Sequence, residues 1–220
     1  MNTQDEILSY LRRRIPRNHF EEIKNVVPVA FKKAHDAGSD LVHIPKDRKR
    51  AQDRYAYIQD GLAGLQKTWS SQVVPTNPKG EFYTLMNAEN VRLTAAIKPW
   101  KKKLRPAKYR LNNSKLNKFL MSPQLELLGE SDTDVDIENI LNAIVIPLSP
   151  PWHMEQSKPL DIILAVPYFN SCSDYHVWCS LDKFIEGYEK EVAGDLDLAW
   201  PVIRKQMRRD EGLDESTGEE

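Results

Sequence analysis

The chain has 220 residues, 40% hydrophobic and 29% charged, with 31 Lys and Arg against 32 Asp and Glu for a formal net charge of -1. That length fits one domain with a sizeable core, and five Trp, eight Tyr and six Phe exclude a wholly disordered chain. No run approaches the roughly 20 apolar residues of a membrane span, the opening MNTQDEILSYLRRR is too acidic for a signal peptide, and Cys172 and Cys179 make no disulfide framework, so a soluble cytoplasmic protein is expected.

Ile7, Leu8 and Leu11 give residues 4–14 helical spacing. Pro16 ends that helix. Residues 18–37 continue as helix on Phe20, Ile23, Val26, Val27, Val29, Ala30 and Phe31, with Pro28 expected to kink or split it. Gly38 is placed at the exit as a left-handed cap. A further helix is expected over 47–69, capped by Asp47, with Tyr55, Ile58, Leu62 and Leu65 on one stripe. Gly61 and Gly64 count against its second half.

PTNPKG at 75–80 is a turn. Residues 81–86 and 90–97 form a hairpin around the link Asn87-Ala88-Glu89-Asn90. Pro99 and Pro106 rule out one helix across 97–120, and Asn113 or Ser114 is placed as the cap of a short helix ending at Leu120. A short strand is expected at 125–128, followed by the acidic loop GESDTDVDIEN. ILNAIVIPL (140–148) and LDIILAVPYF (160–169) are β-branched and apolar, and each closes on a proline between apolar residues. They are expected as buried antiparallel neighbours with the prolines at strand ends. Residues 175–181 form a third strand, and 182–193 a helix on Phe184, Ile185, Tyr188 and Val192.

Helices first and strands later define an α+β fold. The expected architecture is an N-terminal helical layer (1–69), then a mainly antiparallel sheet with a short C-terminal helix (70–207). RRDEGLDESTGEE (208–220) has almost no apolar content and is expected as an acidic disordered tail outside that single domain.

The near-zero net charge is a cancellation. Residues 1–40 carry seven Lys and Arg against six acids, residues 41–118 seventeen against five, and residues 119–220 seven against twenty-one. A split of +12 and -14 points to a polyanion partner or to pairing between the two halves.

The basic half has two dense clusters. One is Lys46, Arg48, Lys49, Arg50 and Arg54, in which Lys46, Arg50 and Arg54 share a helix face. The other holds Lys98, Lys101, Lys102, Lys103, Arg105, Lys108, Arg110, Lys115 and Lys118, interleaved with Trp100 and Tyr109. Closely spaced cations suit phosphates, and aromatics stack on bases. Nucleic acid or an acidic protein surface is the expected partner. Trp152 and Met154, between prolines in SPPWHMEQSKP, are candidate protein-contact residues for a partner or a second copy through the acidic half.

Other constellations are weaker. Arg14 and His19 have an Arg-x4-His spacing that resembles the HEPN ribonuclease motif; the resemblance covers two residues, and Pro16 interrupts the helix that would present them. Asp132, Asp134, Asp136 and Glu138 alternate, but the EF-hand positions for Gly and Glu hold Ile137 and Ala143. His153 and Glu155 with Cys172 and Cys179 depart from the zinc-deaminase pattern, since six residues separate the cysteines. Cys172, His176 and Cys179 have no zinc-site spacing. No P-loop, G-x-S-x-G or H-E-x-x-H occurs. No cofactor, metal or catalytic residue is assigned. A non-enzymatic nucleic-acid-associated or assembly protein is expected, with a small nuclease or toxin-type effector and a pure protein-interaction subunit as alternatives.

Overall fold

The computed structural model describes residues 4–121 and 140–189. The described residues up to 185 belong to one compact unit, and 186 begins a second. The expected strand at 125–128, the acidic loop with Asp132, Asp134, Asp136 and Glu138, and the tail from 208 lie outside the described residues.

Three helices come first: α1 (Gln4–Arg14), α2 (Arg17–Ala37) and α3 (Lys46–Ala63). They bury Ile7, Leu8 and Leu11 from α1 and Phe20, Ile23, Val27, Ala30, Phe31 and Ala34 from α2. Pro28 does not split α2, which runs through it without interruption. The lost bond falls on the carbonyl of exposed Lys24, on the solvent side of the helix, while buried Val27, Ala30 and Phe31 fix the helix on its core side. Gly38 closes α2 in a right-handed conformation (φ -87°), not the left-handed one expected. α3 starts behind Pro45, with Asp47 in its first turn rather than at the cap, and stops at Gly64, short of the expected Trp69. Gly61 lies inside α3 because a Cβ there would stand 2.5 Å from Val26 Cγ1; the missing side chain lets α2 and α3 touch.

The strands are β1 (Ser70–Pro75), β2 (Phe82–Ala88), β3 (Val91–Ala95), β4 (Lys98–Pro99), β5 (Leu141–Ser149), β6 (Asp161–Pro167) and β7 (Tyr175–Ser180). They form one sheet in the order β1-β2-β3-β5-β6-β7, with β4 also paired to β5. The hairpin is tighter than expected: Ala88 faces Val91 across the two-residue turn Glu89-Asn90, with Glu89 at φ 45°. β5 and β6 are antiparallel neighbours, as expected, and β7 flanks β6; Pro167 closes β6, but Pro147 lies inside β5, opposite Ile162, and not at its end. The sheet is mostly antiparallel, but β3 and β4 both run parallel to β5. β1 had no clear sequence signal. A helix follows β7 over residues 181–189, with Phe184 and Ile185 buried.

The basic segment is the connection between β3 and β5. Leu104 packs with Ala96, Ile144, Ile146, Ile163 and Ala165 on one face of the sheet. Beyond it come α4 (Lys108–Ser114) and a 3-10 helix (Lys115–Met121), so Asn113 lies inside a helix instead of capping one. Two anchors hold the segment to β5. Lys98 and Pro99 pair with Leu148 and Ser149. Asn117 donates from Nδ2 to the carbonyls of Asn142 (3.0 Å) and Pro167 (2.7 Å), and its Oδ1 accepts from the Asn142 N–H (2.8 Å).

Candidate polyanion-binding trough

The site begins where two strands part. The β2–β3 ladder pairs Met86 with Leu93, and the same register, carried two residues further, would set Thr84 opposite Ala95. The buried side chain of Gln59, from α3, stands in that position. Its Oε1 accepts from the Thr84 N–H (2.6 Å) and its Nε2 donates to the Ala95 carbonyl (3.4 Å). Buried backbone groups require partners, and here one carboxamide reaches both, with the Tyr109 hydroxyl also donating to the Ala95 carbonyl (3.4 Å). The Thr84 hydroxyl also donates to the Gln59 carbonyl (2.7 Å), locking α3 to β2.

A cavity of about 750 Å³ opens beside this wedge. Its first wall is the face of α3 that carries Lys49, Gln52, Asp53 and Ala56, which helical spacing aligns. Its second wall is the turn from Thr76 to Glu81. Thr76 holds that turn, taking the Glu81 N–H on its hydroxyl (3.2 Å) and donating its own N–H to the Glu81 carbonyl (2.9 Å). The third wall is Arg105–Arg110. A second cavity of about 410 Å³ adjoins it, sharing Ala51, Tyr55, Arg105 and Arg110, and reaches Lys102, Lys103, Pro99 and Ser149. The two form one trough.

Its floor is aromatic and fixed. Tyr109 stacks on Tyr83 with centroids 4.1 Å apart and planes 14° from parallel. Tyr55 donates to the Phe82 carbonyl (2.6 Å). Burial, and then the adjacent Tyr109 hydroxyl, push the Tyr55 phenol well above its usual pKa, so it remains a donor. Arg110 is only 7% exposed. Its Nη1 donates to the Tyr109 hydroxyl (2.9 Å), its Nη2 to the Arg105 carbonyl, and its buried Nε has no partner.

One cation of the first basic cluster, Lys49, therefore meets five of the second on one trough. Lys49, Lys102, Lys103, Arg105, Lys108 and Arg110 line it, against Asp53 and Glu81. Asp53 is paired with Lys49 at 2.5 Å. Not every candidate cation belongs to it. Arg54 is 5% exposed and points into the interior, over the Phe31 ring (4.8 Å) and onto the Gln156 carbonyl (2.6 Å). Burial, then neighbouring Arg50, lower its pKa. Arg50 is half-buried and 3.8 Å from Asp47, and Lys46 donates to the Ser39 carbonyl (3.0 Å). Arg48 is exposed at the start of α3, and Lys115 and Lys118 are exposed on the 3-10 helix. None of these lines the trough.

Lys98, Trp100 and Lys101 stand at the far end. Lys98 Nζ donates to the Trp100 carbonyl (3.4 Å) and sits 5.5 Å from the Trp178 ring centre, while Lys101 Nζ lies 4.4 Å above the Trp100 ring. Trp178 is a residue that sequence reasoning missed; within β7 its spacing signals only alternation. Trp152 is 84% exposed, edge-on to His153 at 5.6 Å, and Met154 beside it is exposed. Their loop is held by Gln156, which donates to the Pro151 carbonyl (2.6 Å).

Arg14 pairs with Glu89 (3.7 Å), and the His19 ring packs edge-on to Trp69 (5.5 Å). The His176 ring lies 4.0 Å from that of Tyr168, and burial lowers its pKa. Burial also raises the Cys179 thiol, which disfavours a thiolate nucleophile. Among the described residues no three His, Cys, Asp or Glu side chains gather as a metal-binding group, and no helix is long and apolar enough to cross a membrane. No family model, curated protein or solved structure matches this chain.

Proposed function

We propose that the protein is a non-enzymatic nucleic-acid binder that holds the phosphate backbone in this trough. One observation carries the reading. Lys49 of α3 and five cations of the basic segment about 50 residues further along the chain converge on a single concave surface with an aromatic floor. Phosphates bind by displacing counterions, and a dense row of Lys and Arg gains most from that release. The trough fits this chemistry better than nucleotide hydrolysis, because its two carboxylates, Asp53 and Glu81, come without a metal-binding third group among the described residues.

The test is fluorescence anisotropy of labelled oligonucleotides with the full chain at different salt concentrations. With about five phosphates neutralised, single-strand affinity falls roughly a hundredfold between about 50 and 200 mM salt. Reversing Lys102 and Lys103 to Glu flattens that slope. No binding at low salt removes the reading. Equal binding of an acidic polypeptide would transfer the trough to a protein partner.

A further inference from the structure

We infer that the trough continues onto a two-tryptophan platform, Trp100 and Trp178, that takes unpaired bases, so the ligand is single-stranded nucleic acid. The inference rests on the trough reading above and names the form of nucleic acid that it accepts.

The continuity is structural. Pro99 and Ser149 line the end of the trough. The next residue, Trp100, is tied to that end by its N–H, which donates to the Ser149 carbonyl (3.2 Å). Lys98 then joins the two tryptophans, with its Nζ 3.4 Å from the Trp100 carbonyl and 5.5 Å from the Trp178 ring centre. Trp178 lies on β7, the last strand of the sheet, opposite Ala165. It therefore rises from the same face as Ala165 and Ile163, the face that Leu104 of the basic segment covers.

The chemistry is that of a stacking site. Trp100 is 39% and Trp178 38% exposed, so each indole keeps part of its surface open to solvent. Each carries a lysine ammonium over its ring, Lys101 on Trp100 and Lys98 on Trp178. Tyr175 supports Trp178 from the side, with centroids 4.9 Å apart. The nearby carboxylate on β6, Asp161, accepts the Ser180 hydroxyl (2.9 Å) and the Ile162 N–H (2.7 Å) on one oxygen, Oδ1. A base that stacks on either indole displaces its ammonium onto the flanking phosphate. A cation–π contact is exchanged for an ion pair, and the ring gains a planar partner. Only unpaired bases offer that face, because in a duplex both faces are already stacked.

The experiment compares, on the full chain at low salt, an oligothymidylate and an oligouridylate of about 15 nucleotides with a blunt duplex of the same length. Single strands bind at least tenfold more tightly than duplex and quench the tryptophan fluorescence. Trp100→Ala and Trp178→Ala each weaken single-strand binding about tenfold, the scale of one lost base–aromatic stack, and leave duplex affinity within about twofold. Trp100→Phe and Trp178→Phe keep most of the affinity, which separates lost stacking from lost folding. Tighter binding of the uridylate or of the thymidylate then identifies the strand as RNA or DNA. Single-strand affinity untouched by both alanine variants, or duplex bound as tightly as single strand, overturns the platform and leaves the trough reading standing. No binding of any oligonucleotide, or equal competition by polyglutamate, overturns both.

Discussion

Gln59 does the work of a strand residue from within a helix. Its carboxamide occupies the place of a ladder pair between Thr84 and Ala95, and the trough opens alongside. Gln59→Leu keeps the volume but strands the buried Thr84 N–H, while the Ala95 carbonyl keeps the Tyr109 hydroxyl (3.4 Å). We expect a loss of about 1–3 kcal/mol, the cost of one unsatisfied buried group, read as a lower urea midpoint with the m-value unchanged. Unchanged stability would mean that β2 and β3 close directly, and the wedge would then have no structural role. In the sequence this residue is invisible. It sits beside Ile58 on an apolar stripe, where one polar position reads as a helix flank. Arg54 shows the opposite limit. Helical spacing placed it with Lys46 and Arg50, yet Phe31 and the Gln156 carbonyl draw it inside. Spacing along one helix gives the face, but what covers that face is a tertiary fact.

At the scale of elements, legibility followed local chemistry. β5 and β6 announced themselves as continuous β-branched runs, because both of their faces are buried. β1 gave little signal, since its side chains stay largely exposed and pairing with β2 alone makes it a strand. Pro28 misled for an energetic reason: packing on one side of α2 outweighs one missing hydrogen bond on the other. Gly61 is explained by what it touches. Isolated helices favour Ala over Gly by about 1 kcal/mol, but here a Cβ meets the stiff, branched Val26 at 2.5 Å. We expect Gly61→Ala to destabilise by about 1–3 kcal/mol, as overpacking does, and Val26→Ala in the same chain to recover most of it. Thermal melts of the single and double variants provide the measurement, and a more stable single variant would contradict the close helix contact.

For the molecule as a whole, charge was the most legible property and geometry the least. The sequence contained the +12 region but not the meeting of Lys49 with the basic segment, which depends on β3 and β5 running parallel with that segment between them. Nor did it separate trough cations from bystanders. That distinction yields a comparison at constant net charge. Reversing Lys115 and Lys118 changes the total by the same four units as reversing Lys102 and Lys103, but only the second pair lines the trough. The salt slope of oligonucleotide binding should drop with the second pair and stay near its original value with the first. Equal effects would show that bulk charge, not the concave site, governs binding. Of the twenty-one acids in residues 119–220, six lie in 122–139 and nine in 190–220, both outside the described residues.

The basic segment is held at two points of one strand: Lys98 beside Leu148, and Asn117 on Asn142. Six residues of β5 separate those points, about 20 Å at strand rise, whereas the chain from 98 to 117 would stretch to roughly 65 Å if extended. The segment is thus a stapled arch rather than a free basic arm. Its conformational freedom is surrendered when the sheet forms, so a ligand meets cations that are already in place. Association should then carry little of the ordering entropy that a disordered basic tail gives up on contact. Its heat-capacity change should reflect the surface covered by the ligand and not a coupled folding step.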